Sequence, residues 1–271
     1  MLGKLIKYDI RSTWRDFAAV YLSILLGVLI LPPLFNHFNN DIVNTFAGLI
    51  GAGIVVATIV VMVITLFKIF NTNVFSKEGY LTMTLPATAT QIVVSKLLIS
   101  TMWIVLTGIV SAIAICIFAL NLNAVPWAEV TAAFRKVMSM FDSNGAFTIV
   151  LLVVAMILST VKEIAKLFLA CSIAHLKQLN RFRVPGGILS YFVFSWLETL
   201  IVQAFALVLS LLPYTDELAL QLEQMNDLSG IHQFTGLFNG VMSVGILYTM
   251  VLTVIYAFGT IWILNRKLDL D

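Results

Sequence analysis

A chain of 271 residues that is 60% hydrophobic and 11% charged, with a mean hydropathy of +1.00, is too apolar for a soluble domain, in which roughly a quarter of residues carry charge. Its net charge of +2 leaves few basic residues to cluster, which excludes a nucleic-acid partner. The expected class is all-α, a polytopic membrane protein with a single transmembrane domain over residues 1–271 and six transmembrane helices.

Residues 1–16 read as an amphipathic helix, with Leu2, Ile6, Ile10, Trp14 and Phe17 on one side and Lys4, Lys7, Arg11 and Arg15 on the other. That pattern belongs to a helix lying in the membrane interface. The apolar run behind it is long and no small-residue cleavage site follows, so the segment is expected to be retained and not removed as a signal peptide. Span one is expected over 17–35, ending at Pro32-Pro33, and span two over 46–70. Span two carries small residues four apart, Ala47 with Gly51 and Gly48 with Ala52, which let a neighbouring helix approach closely. No Gly-x-x-x-x-Gly-Lys-Ser/Thr loop occurs in the chain, so nucleotide chemistry by that loop would have to come from another subunit.

Between spans two and three lies a cytoplasmic segment, residues 71–96, whose core is Lys77-Glu78-Gly79-Tyr80-Leu81-Thr82-Met83-Thr84-Leu85-Pro86. Leu81, Leu85 and Ile92 offer apolar faces. Pro86 fixes its own φ, lacks an N–H and pushes Leu85 out of helical conformation, so a short helix is expected to end near Leu85. A second helix is expected to start with Thr88 or Thr90 as N-cap, with Gln91 in its first turn, and to run through Ser95 and Lys96 into span three. The order Glu78-Gly79-Tyr80-Leu81, three residues, Leu85-Pro86, a polar turn, then Ser95-Lys96 opening a span resembles the permease subunits of ABC-2-type transporters.

In that family the equivalent segment is the coupling helix that sits on the ATPase. The resemblance therefore assigns Glu78, Gly79, Tyr80, Leu81, Leu85, Pro86 and Gln91 to ATPase coupling. It implies partner ABC ATPase subunits that bind ATP and Mg, a second permease subunit alike or different, and no cofactor or enzymatic activity in this chain. It further implies an amphipathic substrate such as a peptide antibiotic, exported or resisted at the cell membrane of a Gram-positive bacterium. An amphipathic helix before span one also fits the family.

Span three is expected over 97–120, followed by an extracellular loop at 121–145 holding Pro126-Trp127-Ala128-Glu129, Arg135 and Lys136, read as an external interfacial helix. Span four is expected over 147–176, span five over 185–212 and span six over 238–264, with an acidic extracellular loop at 213–237. The stretch from Leu169 through Leu176, then Arg181 to Arg183, Gly186-Gly187 and Tyr191-Phe192 is a second, weaker point of resemblance to the same permeases. On this plan twelve Lys and Arg fall on one side and two on the other, which puts both termini and residues 71–96 in the cytoplasm.

Lys162, Glu163 and Lys166 in span four and Glu198 in span five fall inside apolar runs, where each charge costs roughly 2.5 to 3.5 kcal/mol. Lys162, Lys166 and Glu198 share a depth of roughly 15 to 21 Å from the cytoplasmic ends, so an antiparallel hairpin of spans four and five brings Glu198 to either lysine. Two readings stand: a polar patch lining a substrate path or subunit interface, and an internally paired cluster holding the hairpin in register. An alternative function is a proton-coupled secondary carrier, with Glu198 binding the proton and Lys162 or Lys166 as counter-ion, although no inverted repeat supports it. His37, His175 and His232 are far apart, and no His-Glu-x-x-His or Cys-x-x-Cys occurs, so no metal site is expected.

Overall fold

The computed structural model describes residues 2–37, 41–69, 88–121, 126–129, 131–132, 135, 143–176, 183–210 and 228–266. Its long helices are α1 (Leu2–His37), α2 (Asp41–Phe67), α3 (Ala89–Asn121), α4 (Ser143–Ala174), α5 (Arg183–Ser210) and α6 (Leu228–Arg266). All six are long and apolar enough to cross a membrane, which makes the chain a multi-pass membrane protein. Helices are the form such segments must take, because hydrocarbon offers no partner to an unpaired backbone group. Their hydroxyls follow the same economy: Thr58, Thr101 and Thr253 each donate to the carbonyl four residues back, at 2.8, 2.8 and 2.7 Å.

The helices form two compact units, Met1–Ser139 and Met140–Asp269. In the first, α1 packs against both α2 and α3. Helices α1 and α3 run parallel, since Asp9 meets Lys96, Thr13 meets Trp103 and Tyr21 meets Thr107. Phe17, 1% exposed, stacks on the Trp103 indole at 4.3 Å with the rings 7° from parallel, and Ile69 and Ile99 close the same cluster. Where α1 meets α2, Gly27 lies under Ile54 so closely that a Cβ would sit 2.7 Å from the Ile54 Cδ1. Of the small residues on α2, Gly51 faces Leu31 of α1, whereas Gly48 faces open space.

Two expectations for α1 need correction. Residues 2–16 and span one are one unbroken helix, because no glycine or proline falls between Lys4 and Leu26; nor does Pro32-Pro33 end it, and it continues to His37. Membrane helices tolerate such prolines where neighbours satisfy the freed carbonyls. Ile6, Ile10 and Phe17 of the apolar side pack in the core, and polar residues join them there. Trp14 is 48% exposed while Asp9 and Thr13 are buried, since α3 presents the Lys96 ammonium and the Trp103 N–H, and these need acceptors more than contact.

In the second unit α4 packs against α5 and α6. The α4–α5 pair is antiparallel, with Gly187 of α5 set against Ala174 and the Ala170 carbonyl while Glu198 lies beside Lys162. The α4–α6 pair is parallel: the Thr148 hydroxyl donates to Asn239 at 2.9 Å, and Leu169 lies over Gly259, where a Cβ would come within 3.0 Å of it. Phe168 and Ser172 of α4 are fully buried and Cys171 is nearly so. Helix α4 ends at Ala174, earlier than Leu176, in a turn where the His175 and Leu176 amides bond Ser172 and Ile173. Most of 121–145 and 213–237 lies outside the described residues, as does the C-terminal tail from Lys267.

Candidate functional site

The site is a polar cluster in the middle of the second unit. Lys162 and Lys166 stand four residues apart on α4 and so share one face, with Glu163 at its edge. Tyr191 and Glu198 stand seven apart on α5, again one above the other, and Tyr256 comes from α6. The Lys162 ammonium bridges both carboxylates, 2.7 Å from Glu198 Oε2 and 3.0 Å from Glu163 Oε1. Lys166 does the same from below, 2.8 Å from Glu163 Oε2 and 3.3 Å from Glu198 Oε1. Tyr256 donates its hydroxyl to Glu198 Oε1 at 2.7 Å, and Tyr191 donates to Glu163 Oε2 at 3.0 Å. Lys166 also sits 4.8 Å from the Tyr191 ring centroid, close enough for a cation–π attraction.

Two lysines and two glutamates balance, and each carboxylate oxygen has at least one donor. That is the condition under which charges survive at membrane depth, because a stranded partner costs several kcal/mol. The expectation that Glu198 pairs with one lysine understated the geometry: it contacts both. Burial is uneven. The side chains of Lys166, Lys162 and Glu198 are 3%, 12% and 12% exposed, and that of Glu163 is 43% exposed, so Glu163 is the cluster's open edge.

Sequence reasoning missed the tyrosines. Their signal was present: a tyrosine in an apolar span needs a partner for its hydroxyl, and Tyr191 lies two turns from Glu198. Tyr248, two turns before Tyr256 on α6, has its hydroxyl oxygen buried with no bond among the described residues. No group of three metal-ligating side chains occurs among the described residues.

A second polar feature joins α1 to α3. Lys96 Nζ is 2.6 Å from Asp9 Oδ1, with side chains 4% and 11% exposed. One turn further, the Trp103 indole donates to the Thr13 hydroxyl at 2.9 Å, and Thr13 donates on to the Asp9 carbonyl. Asp9 Oδ2 and Ser100 Oγ are buried with no partner among the described residues. The sequence reading counted Lys96 as a loop charge and did not single out Asp9.

Of the residues expected to couple to an ATPase, Glu78, Gly79, Tyr80, Leu81, Leu85 and Pro86 lie outside the described residues. Gln91 is described: its amide donates to the Thr88 hydroxyl at 3.3 Å, and the Ile92 amide bonds the Thr88 carbonyl at 3.1 Å. Thr88 is thus the N-cap of α3, and Thr90 lies within the helix. No protein-family model matches the chain, and neither a curated protein nor a solved structure matches it.

Proposed function

We propose that the chain is the permease subunit of an ABC transporter of the ABC-2 type, working with separate ATPase subunits and a second permease subunit, its own copy or a homologue. The observation that carries this reading is the order of residues from Glu78 to Lys96, in which Leu81, Leu85 and Pro86 precede a Thr88 cap that opens a membrane helix. The bias of Lys and Arg supports it by setting that segment and both termini on the cytoplasmic side of a bacterial cell membrane. ATP and Mg bind in the ATPase, not here. An ATPase shifts a permease only by its difference in affinity for two permease states. Leu81, Leu85 and Pro86 supply a shaped contact, Glu78 a polar one, and Gly79, Tyr80 and Gln91 complete the coupling face. The substrate is amphipathic, a peptide antibiotic or similar molecule moved across or out of the membrane.

The test is purification of the tagged chain from its host in mild detergent. A stoichiometric partner with an ATP-binding loop is expected, and a chain that elutes alone overturns the reading. Replacing Leu81 and Leu85 by Ser is expected to leave the permease folded and abolish transport while the ATPase still turns over; unchanged transport refutes the coupling role.

A further inference from the structure

The two carboxylates and two ammonium groups of the α4–α5 cluster cancel in sum, but they do not face the same way. Lys162 and Lys166 are turned inward and only Glu163 opens outward, so the field at the open edge takes the sign of its carboxylate. A carboxylate has about four lone-pair sites. On Glu163 three are used, two on Oε2 by Lys166 and Tyr191 and one on Oε1 by Lys162, which leaves Oε1 able to accept once more.

The preceding turn of α4 has the same character. Ser159 and Thr160 stand four and three residues before Glu163 and so share its face. Both hydroxyls donate to the Met156 carbonyl, at 2.9 and 2.8 Å. Both protons are therefore spent, and the two oxygens, bonded to one atom, lie within about 6 Å of each other. Ser159 is exposed and Thr160 half-buried, so this edge of α4 presents a run of three acceptors. All three lie in a segment apolar and long enough to cross the membrane. Glu163 stands eleven residues before Ala174, the end of α4, about 16 Å along the helix and near the middle of roughly 30 Å of hydrocarbon. A half-open carboxylate is costly there, and acyl chains carry no donor to offset it.

What complements this edge is a positively charged group rich in donors. A second copy brings none to that depth. Among the described residues, the lysines and arginines outside the cluster stand in the first fifteen residues, at helix ends or between helices, except Lys96, which is held by Asp9. Lipid head groups lie at the membrane surface and not at its middle. We propose that Ser159, Thr160 and Glu163 bind a primary ammonium group carried on an apolar body. Its three N–H donors meet the three acceptors, and its apolar part lies along the exposed Val153 and Met156. The inference needs only that α4 spans the bilayer and stands apart from the proposed ATPase coupling.

The experiment places the full chain in phosphatidylcholine nanodiscs without an ATPase and adds a dodecyl probe with a diazirine beside its head group. Adducts are mapped by mass spectrometry for three heads: primary ammonium, trimethylammonium and uncharged alcohol. The primary ammonium is expected to label residues 153–163 saturably and about tenfold more tightly than the others, equivalent to roughly 1.4 kcal/mol. Trimethylammonium keeps the charge without a donor, and the alcohol keeps a donor without the charge. Ser159→Ala/Thr160→Val leaves the ion cluster whole and is expected to weaken ammonium labelling about tenfold. Ser23→Ala, which removes a hydroxyl likewise committed to a carbonyl, that of Val20 at 2.7 Å, is expected to change nothing. Equal labelling by the three probes on the parent overturns the proposal, whether or not the double variant folds. So does ammonium labelling that a folded double variant leaves intact. Efficient disulfide formation between copies of Ser159→Cys, with Cys116 and Cys171 replaced, also overturns it, because the edge then belongs to a second protomer.

Discussion

Glu198 holds more of the second unit together than any other polar side chain described. Its two oxygens take Lys162 and Lys166, one turn apart on the same face of α4, and Tyr256 from α6. Replacing it with Ala strands two ammonium groups against a single remaining carboxylate, so the loss of stability is expected to be about 3 to 5 kcal/mol, as for other broken buried pairs. Removing Lys166 and Glu198 together, both as Met, is expected to cost less than the two single changes combined, because the double variant leaves Lys162 and Glu163 as a balanced pair. Thermal unfolding of the parent and these four variants in one detergent measures both; strictly additive losses of the Met changes refute the network. At the other polar contact, Lys96→Met leaves the Asp9 carboxylate without its one donor and is expected to destabilise, whereas Asp9→Asn/Lys96→Met together recovers part of the loss on the same assay.

Among the elements, α3 and α1 mark the two ends of what the sequence makes readable. The start of α3 rests on local chemistry: a proline that blocks helix and a threonine two residues later that accepts the Gln91 amide. Thr88→Ala is expected to cost about 1 kcal/mol, read as faster amide exchange over residues 89–93 with the remainder of α3 unchanged; uniform exchange denies the cap. The face of α1 was not readable in this way. Apolar periodicity laid residues 1–16 in the membrane interface and overlooked Asp9, because what makes Asp9 a buried residue is a lysine 87 positions away. Hydropathy likewise located the six spans, but it carries no record of which helices become neighbours. Nor did a charge count disclose that Tyr191 and Tyr256 complete the cluster, since a hydroxyl contributes nothing to it.

At the scale of the whole molecule, the direction in which the chain crosses the membrane is the first thing to settle. In a background with Cys116 and Cys171 replaced, Trp127→Cys is expected to react with a membrane-impermeant maleimide on intact cells and Lys7→Cys only after lysis; the reverse pattern inverts the topology and removes residues 71–96 from the cytoplasmic side that the proposed coupling needs. The continuity of α1 has a mechanical consequence within that frame. Thirty-six residues in one helix make a rod of about 54 Å, far longer than the roughly 30 Å of hydrocarbon it crosses. Its contacts with α3 and α2 run from Asp9 on Lys96, through Phe17 on Trp103, to Gly27 under Ile54. A rod held over that length has about 24 Å to place beyond the hydrocarbon or to take up by tilt, so its first turn is tied directly to the packing inside the membrane.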